Sequence, residues 1–285
     1  MNDQRIAVLT DSGTNTPPEF ARQHDVRIVP LLINYKDGST YRSGVDITTQ
    51  EVIDRFEQEI PTTSLPAPQQ ILDAVERARD DGYQRGVFVT ISGTLSATYQ
   101  TVCMVARMVD DFPLVVIDTR SIGVVSGMVV MQAVRMVEDG VPFGELKTRL
   151  NDLSRESDVF FATKTLDYLY RGGRINMVTY RLGSILNINP VITCNEEGRY
   201  VVARKTRGWK RAIDAEIRLI RDLAAGFDRV RIGICCTENQ ALFEQLESDL
   251  RTHASNIVEV VRSGLTPDLI VHTGPDLVGL GIQPA

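Results

Sequence analysis

Residues 86–100 read GVFVTISGTLSATYQ, and the fold class can be inferred from them. The segment from Val87 to Ile91 is apolar on both faces, as expected of a strand in a sheet that helices cover on both sides. Small and hydroxyl-bearing residues follow, and we predict a helix from Ser96 to Val109. The stretch therefore predicts a strand followed by a helix, the repeating unit of a parallel sheet.

The flanking sequence repeats this alternation. Upstream we predict a strand at Ile6 to Thr10, a helix after Thr16-Pro17-Pro18, one extended segment at Val26 to Tyr35 ending in a turn at Asp37-Gly38, a helix from Thr48 or Thr49 to Phe56, a loop at Ile60 to Pro68 and a helix at Gln69 to Asp80. Downstream we predict a strand at Leu114 to Ile117 and helices at Ile122 to Glu138 and about Pro142 to Arg155. This half is predicted to be an α/β domain with a parallel sheet.

The second half has a different pattern. Its predicted elements are strands at Val159 to Thr163 and Val191 to Cys194, a hairpin turn at Asn195 to Gly198, a strand at Tyr200 to Arg204, a helix at Trp209 to Leu223, a strand at Val230 to Cys235, a helix at Ala241 to Leu250 and a strand at Ile257 to Val261. A hairpin implies antiparallel pairing, so a mixed sheet is expected. We predict a two-lobed α/β chain, with an N-terminal parallel-sheet domain at 1–160 and a C-terminal mixed-sheet domain at 161–285 that packs closely against it.

Composition narrows the classes of function. Hydrophobic residues make up 43% and charged residues 24% of the 285 residues, which is typical of a globular protein. The net charge of -6 repels nucleic acid and anionic lipid surfaces, so nucleic-acid binding is not expected and any anion site must be local.

Metal and membrane signals are missing from the sequence. No apolar run approaches the about 20 residues of a spanning helix, and the first residues do not resemble a signal peptide, so a cytoplasmic location is expected. The four cysteines form no CxxC pair, and no two of the three histidines stand four residues apart. We therefore predict neither a metal site nor a cofactor.

Hydroxyl-rich stretches follow several predicted strands, where α/β sheets bind their ligands. Thr62 and Thr63 lie in the loop before Pro66, and Ser92 and Ser96 lie at a helix start, where backbone N–H groups favour an anion. The simpler interpretation is that these hydroxyls only cap helices or close turns. Their joint position at the expected binding edge favours a ligand.

Cationic residues form two further candidate contacts. Arg174 follows the Gly172-Gly173 helix stop and could face an anionic head group, or could simply be solvated. Arg204 and Arg207 lie in the one positive cluster of the sequence, residues 204–211. This cluster is either an ordinary solvated face or a surface that an acidic protein partner contacts. His272 follows the apolar run 269–271, read here as strand-like, and would close over the site from the second half.

Taken together, these stretches resemble the DegV family of bacterial lipid-binding proteins from about Ile6 to Gly281. The resemblance rests on the order and spacing of Thr10-Asp11-Ser12, Thr63-Ser64 with Pro66, Leu95-Ser96 with Thr98-Tyr99-Gln100, Asp118, Gly172-Gly173-Arg174-Ile175, Pro190, and His272 with Gly274-Pro275. The chain departs from the family pattern at Leu65, Ala97 and Asn189, where glutamine, glycine and lysine are usual.

The resemblance implies a carrier of a long-chain fatty acid, held in a tunnel between the two lobes. The carboxylate would be bound by Thr62, Thr63, Ser92 and Ser96, with His272 beside them, and Arg174, Arg204 and Arg207 would contact an anion or a partner. That partner would be an ATP-dependent fatty-acid kinase subunit, and transient membrane contact would be possible; this chain would not be the enzyme.

Three alternatives remain open from the residues. A serine hydrolase acting on a lipid or acyl ester would use Ser92 or Ser96 with His272 and Asp11 or Asp118, although the G-x-S-x-G elbow is missing. A nucleotide-dependent phosphotransferase would need a phosphate-binding loop that the sequence lacks. A regulatory interaction module would use the positive cluster.

Overall fold

The computed structural model describes residues 2–184, 188–237 and 239–285. Its strands are β1 (Ile6–Asp11), β2 (Arg27–Val29), β3 (Leu32–Asn34), β4 (Thr40–Arg42), β5 (Thr62–Ser64), β6 (Arg85–Thr90), β7 (Leu114–Asp118), β8 (Asp158–Ala162), β9 (Ile188–Cys194), β10 (Tyr200–Arg207), β11 (Val230–Cys236), β12 (Ile257–Gly264) and β13 (Val278–Pro284). Its helices are α1 (Pro18–Gln23), α2 (Thr49–Arg55), α3 (Pro68–Asp80), α4 (Thr98–Ala106), α5 (Gly123–Glu138), α6 (Phe143–Arg155), α7 (Asp167–Arg171), α8 (Met177–Ser184), α9 (Trp209–Ala224), α10 (Gln240–His253) and α11 (Pro267–Thr273).

The first half forms the predicted parallel sheet, in the order β2-β1-β6-β7. The apolar strand β6 lies in its interior, with Val87 and Val89 in one core cluster and Phe88 in another. The helix at residues 49–55 begins at Thr48, whose side chain and that of Glu51 form a capping box. The fold class predicted from sequence is confirmed for this half.

The second half forms a mixed sheet in the order β10-β9-β8-β13-β11-β12. The predicted β9–β10 hairpin is confirmed, and its strands pair antiparallel. The sequence prediction missed β13, which lies inside this sheet between β8 and β11. The predicted division at residue 160 falls within β8, and the division into domains 1–160 and 161–285 itself remains a prediction.

The single extended segment predicted over Val26 to Tyr35 is wrong. It is broken between β2, which joins the parallel sheet, and β3, which joins a small antiparallel sheet of order β4-β3-β5. Pro30 stands at the break and lacks the N–H that a continuing ladder would need. The predicted loop at Ile60 to Pro68 likewise contains a short strand, β5, which pairs with β3.

The strand-like run before His272 is also a wrong assignment, because residues 267–273 form helix α11. Pro267 stands at the first helical position, where its missing N–H costs nothing. Short apolar runs fit a buried helix as well as a strand, which explains the error.

Helix α5 joins the two halves. Of its 16 residues, 13 are buried, because it contacts β1 and β6 of the parallel sheet and β11, β12 and β13 of the mixed sheet. The mixed sheet packs closely against α5 at Gly281, which has no side chain. A Cβ on Gly281 would lie 2.3 Å from Val125 Cγ2. No helix in the described ranges is long and apolar enough to cross a membrane.

Candidate functional site

A polar cavity of about 410 Å³ brings together four of the residues predicted from sequence. Thr62 and Thr63 reach it from β5, Arg174 from the segment after α7 and His272 from α11. These segments are far apart in the sequence but adjacent in the fold, since α11 packs against β5 and α7. We call this space the head-group pocket.

Thr63 and His272 are in direct contact across the pocket. The hydroxyl oxygen of Thr63 lies 2.6 Å from the Nε2 of His272. The hydroxyl of Thr62 is exposed and makes only a long contact, 3.5 Å, with the carbonyl oxygen of Asn34. Thr63 therefore has a fixed partner, whereas Thr62 lies at the mouth of the pocket.

His272 is held as a neutral ring. Burial, and then the nearby charge of Arg174, lower its pKa to about 3. Its Nδ1 is buried and has no hydrogen-bond partner among the described residues. If Nδ1 carries no proton, Nε2 donates to the Thr63 oxygen and leaves the Thr63 O–H free to donate to an anion.

Arg174 supplies a positive charge beside this pair. Its guanidinium donates to the carbonyl oxygens of Leu95, at 3.2 and 3.3 Å, and of Gly172. Burial lowers the pKa of Arg174, and no carboxylate pairs with it in the part of the chain that the structure describes. A partly buried cation bonded only to carbonyl groups is suited to attract an anionic ligand.

Ser92 and Ser96 lie on the other side of this arrangement. The Ser92 side chain is buried and donates to the Gly198 carbonyl at 2.9 Å, in the turn of the β9–β10 hairpin. Ser96 bonds to the Thr98 hydroxyl at 2.8 Å, and it follows Leu95, the residue whose carbonyl binds Arg174. The structure thus places Ser92 at the contact between the two halves and Ser96 one residue after the carbonyl that binds Arg174, and neither serine lines the head-group pocket.

Other polar residues after the strands satisfy their own backbone. Thr10 donates to the Val89 carbonyl at 2.8 Å and Thr119 to the Thr90 carbonyl at 2.9 Å. Asp11 accepts from the Ile91 N–H at 3.0 Å. For the two threonines the simpler interpretation, turn and loop chemistry, is sufficient. The Oδ1 of Asp11 is buried without a hydrogen-bond partner among the described residues.

An apolar cavity of about 30 Å³ lies between the two halves. Its wall comes from both of them and includes Ile122, Val159, Phe161, Tyr200 and Leu269. Tyr200 also lies near Arg174, whose charge partly offsets the rise that burial causes in the tyrosine pKa. The apolar cavity therefore approaches the same guanidinium that faces the head-group pocket.

Arg204 and Arg207 are not part of the head-group pocket. Both are exposed on β10, an edge strand of the mixed sheet. Their positions suit contact with another macromolecule better than contact with a buried ligand.

The geometry does not form the catalytic triad considered above. Neither Ser92 nor Ser96 is hydrogen-bonded to His272, which contacts Thr63 instead. A histidine with a pKa of about 3 is also a weak general base near neutral pH. Within the described ranges, no group of three or more His, Cys, Asp or Glu side chains is arranged to hold a metal ion.

Sequence reasoning missed why Gly172 is glycine. It read as a helix stop, but a Cβ there would lie 2.2 Å from His272 Nδ1. The Gly172-Gly173 pair carried the signal, since a glycine that no backbone angle requires often marks a close approach. Tyr200 was missed too, because a tyrosine at the start of a strand has no distinguishing pattern.

Comparison with known proteins identifies the family. A family model described as "Uncharacterised protein, DegV family" matches residues 5–285. A DegV domain-containing protein of Clostridium acetobutylicum is 31% identical over 281 residues, which cover 98% of this chain and 99% of that protein.

Two solved structures extend the comparison. A DegV family protein from Thermus thermophilus, described as fatty-acid binding, has a TM-score of 0.90 at 29% identity, covering 99% of this chain and 100% of the other. A stearic acid-binding protein from Eubacterium ventriosum has a TM-score of 0.88 at 25% identity, covering 98% of each chain.

Proposed function

Because this chain belongs to the DegV family, we propose that it binds a long-chain fatty acid, with the carboxylate in the head-group pocket and the acyl chain between the two halves. The observation that carries the proposal is the Thr63–His272 pair beside Arg174, whose guanidinium pairs with no carboxylate in the described part of the chain. The similarity to structures described as binding fatty acids supports the same ligand.

The carboxylate would be held by hydroxyl donors under a positive field. With the His272 proton on Nε2, the ring would donate to Thr63 and Thr63 would donate to the carboxylate, while Arg174 would offset its charge. Thr62 would contribute from the mouth of the pocket and Ser96 from the side of Leu95. Ser92 contributes only if its O–H leaves the Gly198 carbonyl, so its part depends on movement of the hairpin.

The acyl chain would enter the apolar cavity between the halves. A cavity of about 30 Å³ holds one or two water molecules, so a long chain must displace the lining side chains as it enters. Each buried methylene contributes about 0.8 kcal/mol, which can offset such a rearrangement over a long chain. Binding is therefore expected to be slow and tight.

We also propose that the chain is a carrier and that a separate ATP-dependent fatty-acid kinase subunit acts on the bound acid. Arg204 and Arg207 support this, since both are exposed on an edge strand and suit an acidic partner. Transient contact with a membrane would be possible during delivery of the acid. This chain would supply no catalytic group.

Extraction of the purified protein under denaturing conditions, followed by mass spectrometry, tests the proposal. We expect stoichiometric fatty acid in the extract. An empty extract, together with no binding of added fatty acids, would refute the proposal.

Substitution then locates the head group. Thr63→Ala should weaken binding by about 10- to 150-fold, the loss of one hydrogen bond to a charged group. Ser96→Ala should also weaken it, and Ser92→Ala should do so if the hairpin moves. Thr101→Ala is the matched control, because its hydroxyl donates to Ala97 within the exposed face of α4 at 2.9 Å. Unchanged affinity in the first three variants would place the carboxylate elsewhere.

A further inference from the structure

A second polar cavity, of about 610 Å³, lies on another side of the contact between the halves. We call it the polar chamber; its wall includes Arg120, Ser121, Arg155, Asp158, Val159 and Cys194. Residues from the end of β7, the end of α6, the start of β8 and the β9–β10 hairpin meet there. None of the residues assigned to the carboxylate lines it.

The polar chamber adjoins the apolar cavity. Val159 lines both spaces. Ser121 in the chamber precedes Ile122 in the wall of the apolar cavity, and Cys194 in the chamber pairs across the hairpin with Tyr200 in that wall. The apolar cavity therefore lies between the chamber and the side where Arg174 faces the head-group pocket.

Two groups in the chamber wall have free hydrogen-bonding capacity and are complementary. The Ser121 hydroxyl oxygen is buried without a hydrogen-bond partner among the described residues. Its backbone is fixed, since its carbonyl accepts from the Ser92 N–H at 2.8 Å. The Asp158 carboxyl makes no hydrogen bond with the described residues, and burial raises its pKa. One group can donate and the other can accept.

The charges around the chamber determine the class of ligand. Two cations, Arg120 and Arg155, line it together with two acidic residues, Asp158 and Glu196. Arg155 is already paired with Asp152 at 3.0 Å, and Arg120 donates to the Glu196 carbonyl at 3.2 Å. A balanced wall does not favour a second carboxylate, whereas a hydroxyl can donate to Asp158 and accept from Ser121.

We infer that the polar chamber receives the far end of the acyl chain and selects acids that carry a hydroxyl group there. The inference rests on the proposed function, because the carboxylate must occupy the head-group pocket for the tail to point at the chamber. A change of the Ser121 χ1 rotamer would turn its hydroxyl from an unpaired position toward the ligand. A plain methyl end could form no hydrogen bond with either group.

The test compares ω-hydroxy and unsubstituted saturated acids of about 12 to 20 carbons by competition binding to the full chain. At the length that reaches the chamber, the ω-hydroxy acid should bind more tightly than its unsubstituted partner. Ser121→Ala should then weaken the ω-hydroxy acid by about threefold to tenfold, the effect of one neutral hydrogen bond, and leave the unsubstituted acid unchanged. Asp158→Asn should act in the same direction.

Ser154→Ala is the matched control, because the hydroxyl of this chamber serine already donates to the Leu150 carbonyl at 2.7 Å. This substitution should change the affinities for both acids equally. Equal or weaker binding of the ω-hydroxy acid at every length, or an equal effect of Ser121→Ala on both acids, would overturn the inference. Tighter binding of a dicarboxylic acid than of the ω-hydroxy acid would overturn the choice of end group. Failure of the unsubstituted acids to bind would instead refute the proposed function.

Discussion

Replacing Gly172 by alanine should separate the role of His272 from that of the hydroxyl it contacts. The backbone of Gly172 is helical, with φ −71° and ψ −8°, so alanine fits it without strain. The new Cβ would lie 2.2 Å from His272 Nδ1, which is far inside van der Waals contact. The imidazole must therefore move, and its 2.6 Å contact with Thr63 must lengthen or break.

The magnitude follows from what the pocket loses. Thr63 would no longer be oriented toward the carboxylate, which costs about 1.5 to 3 kcal/mol, or about 10- to 150-fold in affinity. Arg174 and Ser96 are not displaced by the Cβ, so binding should be weakened and not abolished. Overpacking at a partly buried site also lowers the free energy of unfolding by about 1 to 3 kcal/mol.

Titration calorimetry with a saturated long-chain acid measures the first effect, and urea unfolding measures the second. Gly144→Ala is the control, since a Cβ there meets nothing within 4 Å. The double variant Thr63→Ala/Gly172→Ala should bind no more weakly than Thr63→Ala alone, because both changes remove one interaction. Wild-type affinity in a folded Gly172→Ala protein, or full additivity in the double variant, would refute the reasoning.

Two further predictions concern buried carboxyl groups. Burial, together with the nearby Asp268, raises the pKa of Asp11 to about 7 from 3.8, so the stability that the protonated carboxyl contributes is complete below pH 4 and is lost as pH rises to 7. The free energy of unfolding in urea should therefore fall with pH over this range, and Asp11→Asn should reduce that dependence. The same pH dependence in both proteins would contradict the prediction. Burial also raises the pKa of Glu216, whose carboxyl oxygens have no partner among the described residues. Glu216→Leu should therefore raise the free energy of unfolding by about 2 kcal/mol at pH 7 and by less at pH 4. Glu244→Leu, at an exposed position on α10, is the control, and a loss of stability of the Glu216 variant at both pH values would count against the prediction.

The sequence predicted the elements whose signals are local. The apolar strand segment at Val87 to Ile91, the helix cap at Thr48 or Thr49 and the hairpin turn ending at Gly198 all depend on residues within a few positions of one another. Two short apolar segments were predicted wrongly. The break between β2 and β3 had a local signal, Pro30, that the prediction of one extended segment did not use, whereas α11 is too short for helical periodicity to show.

The candidate site could be predicted as a set of residues but not as an arrangement. Thr63, Arg174 and His272 come together only because α11 packs on β5 and α7, and these contacts join positions about 100 residues or more apart. The family resemblance indicated which residues belong to the site, whereas the hydrogen-bond partner of each side chain depends on how the elements pack. Thus Ser92 bonds to a hairpin carbonyl, which no local pattern could indicate.

The same packing has a consequence for ligand binding. Thr63 belongs to the small sheet of the first half, and its partner His272 belongs to a helix of the second, so a carboxylate held by this pair as proposed would depend on the contact between the halves. The acyl chain would do so again, since the apolar cavity has walls from both halves. A ligand that binds only when the two halves are packed together stabilises that packed state, and the stabilisation increases with ligand concentration relative to the dissociation constant. Bound fatty acid should therefore stabilise both halves of the chain together, as one unit, and not one sheet alone.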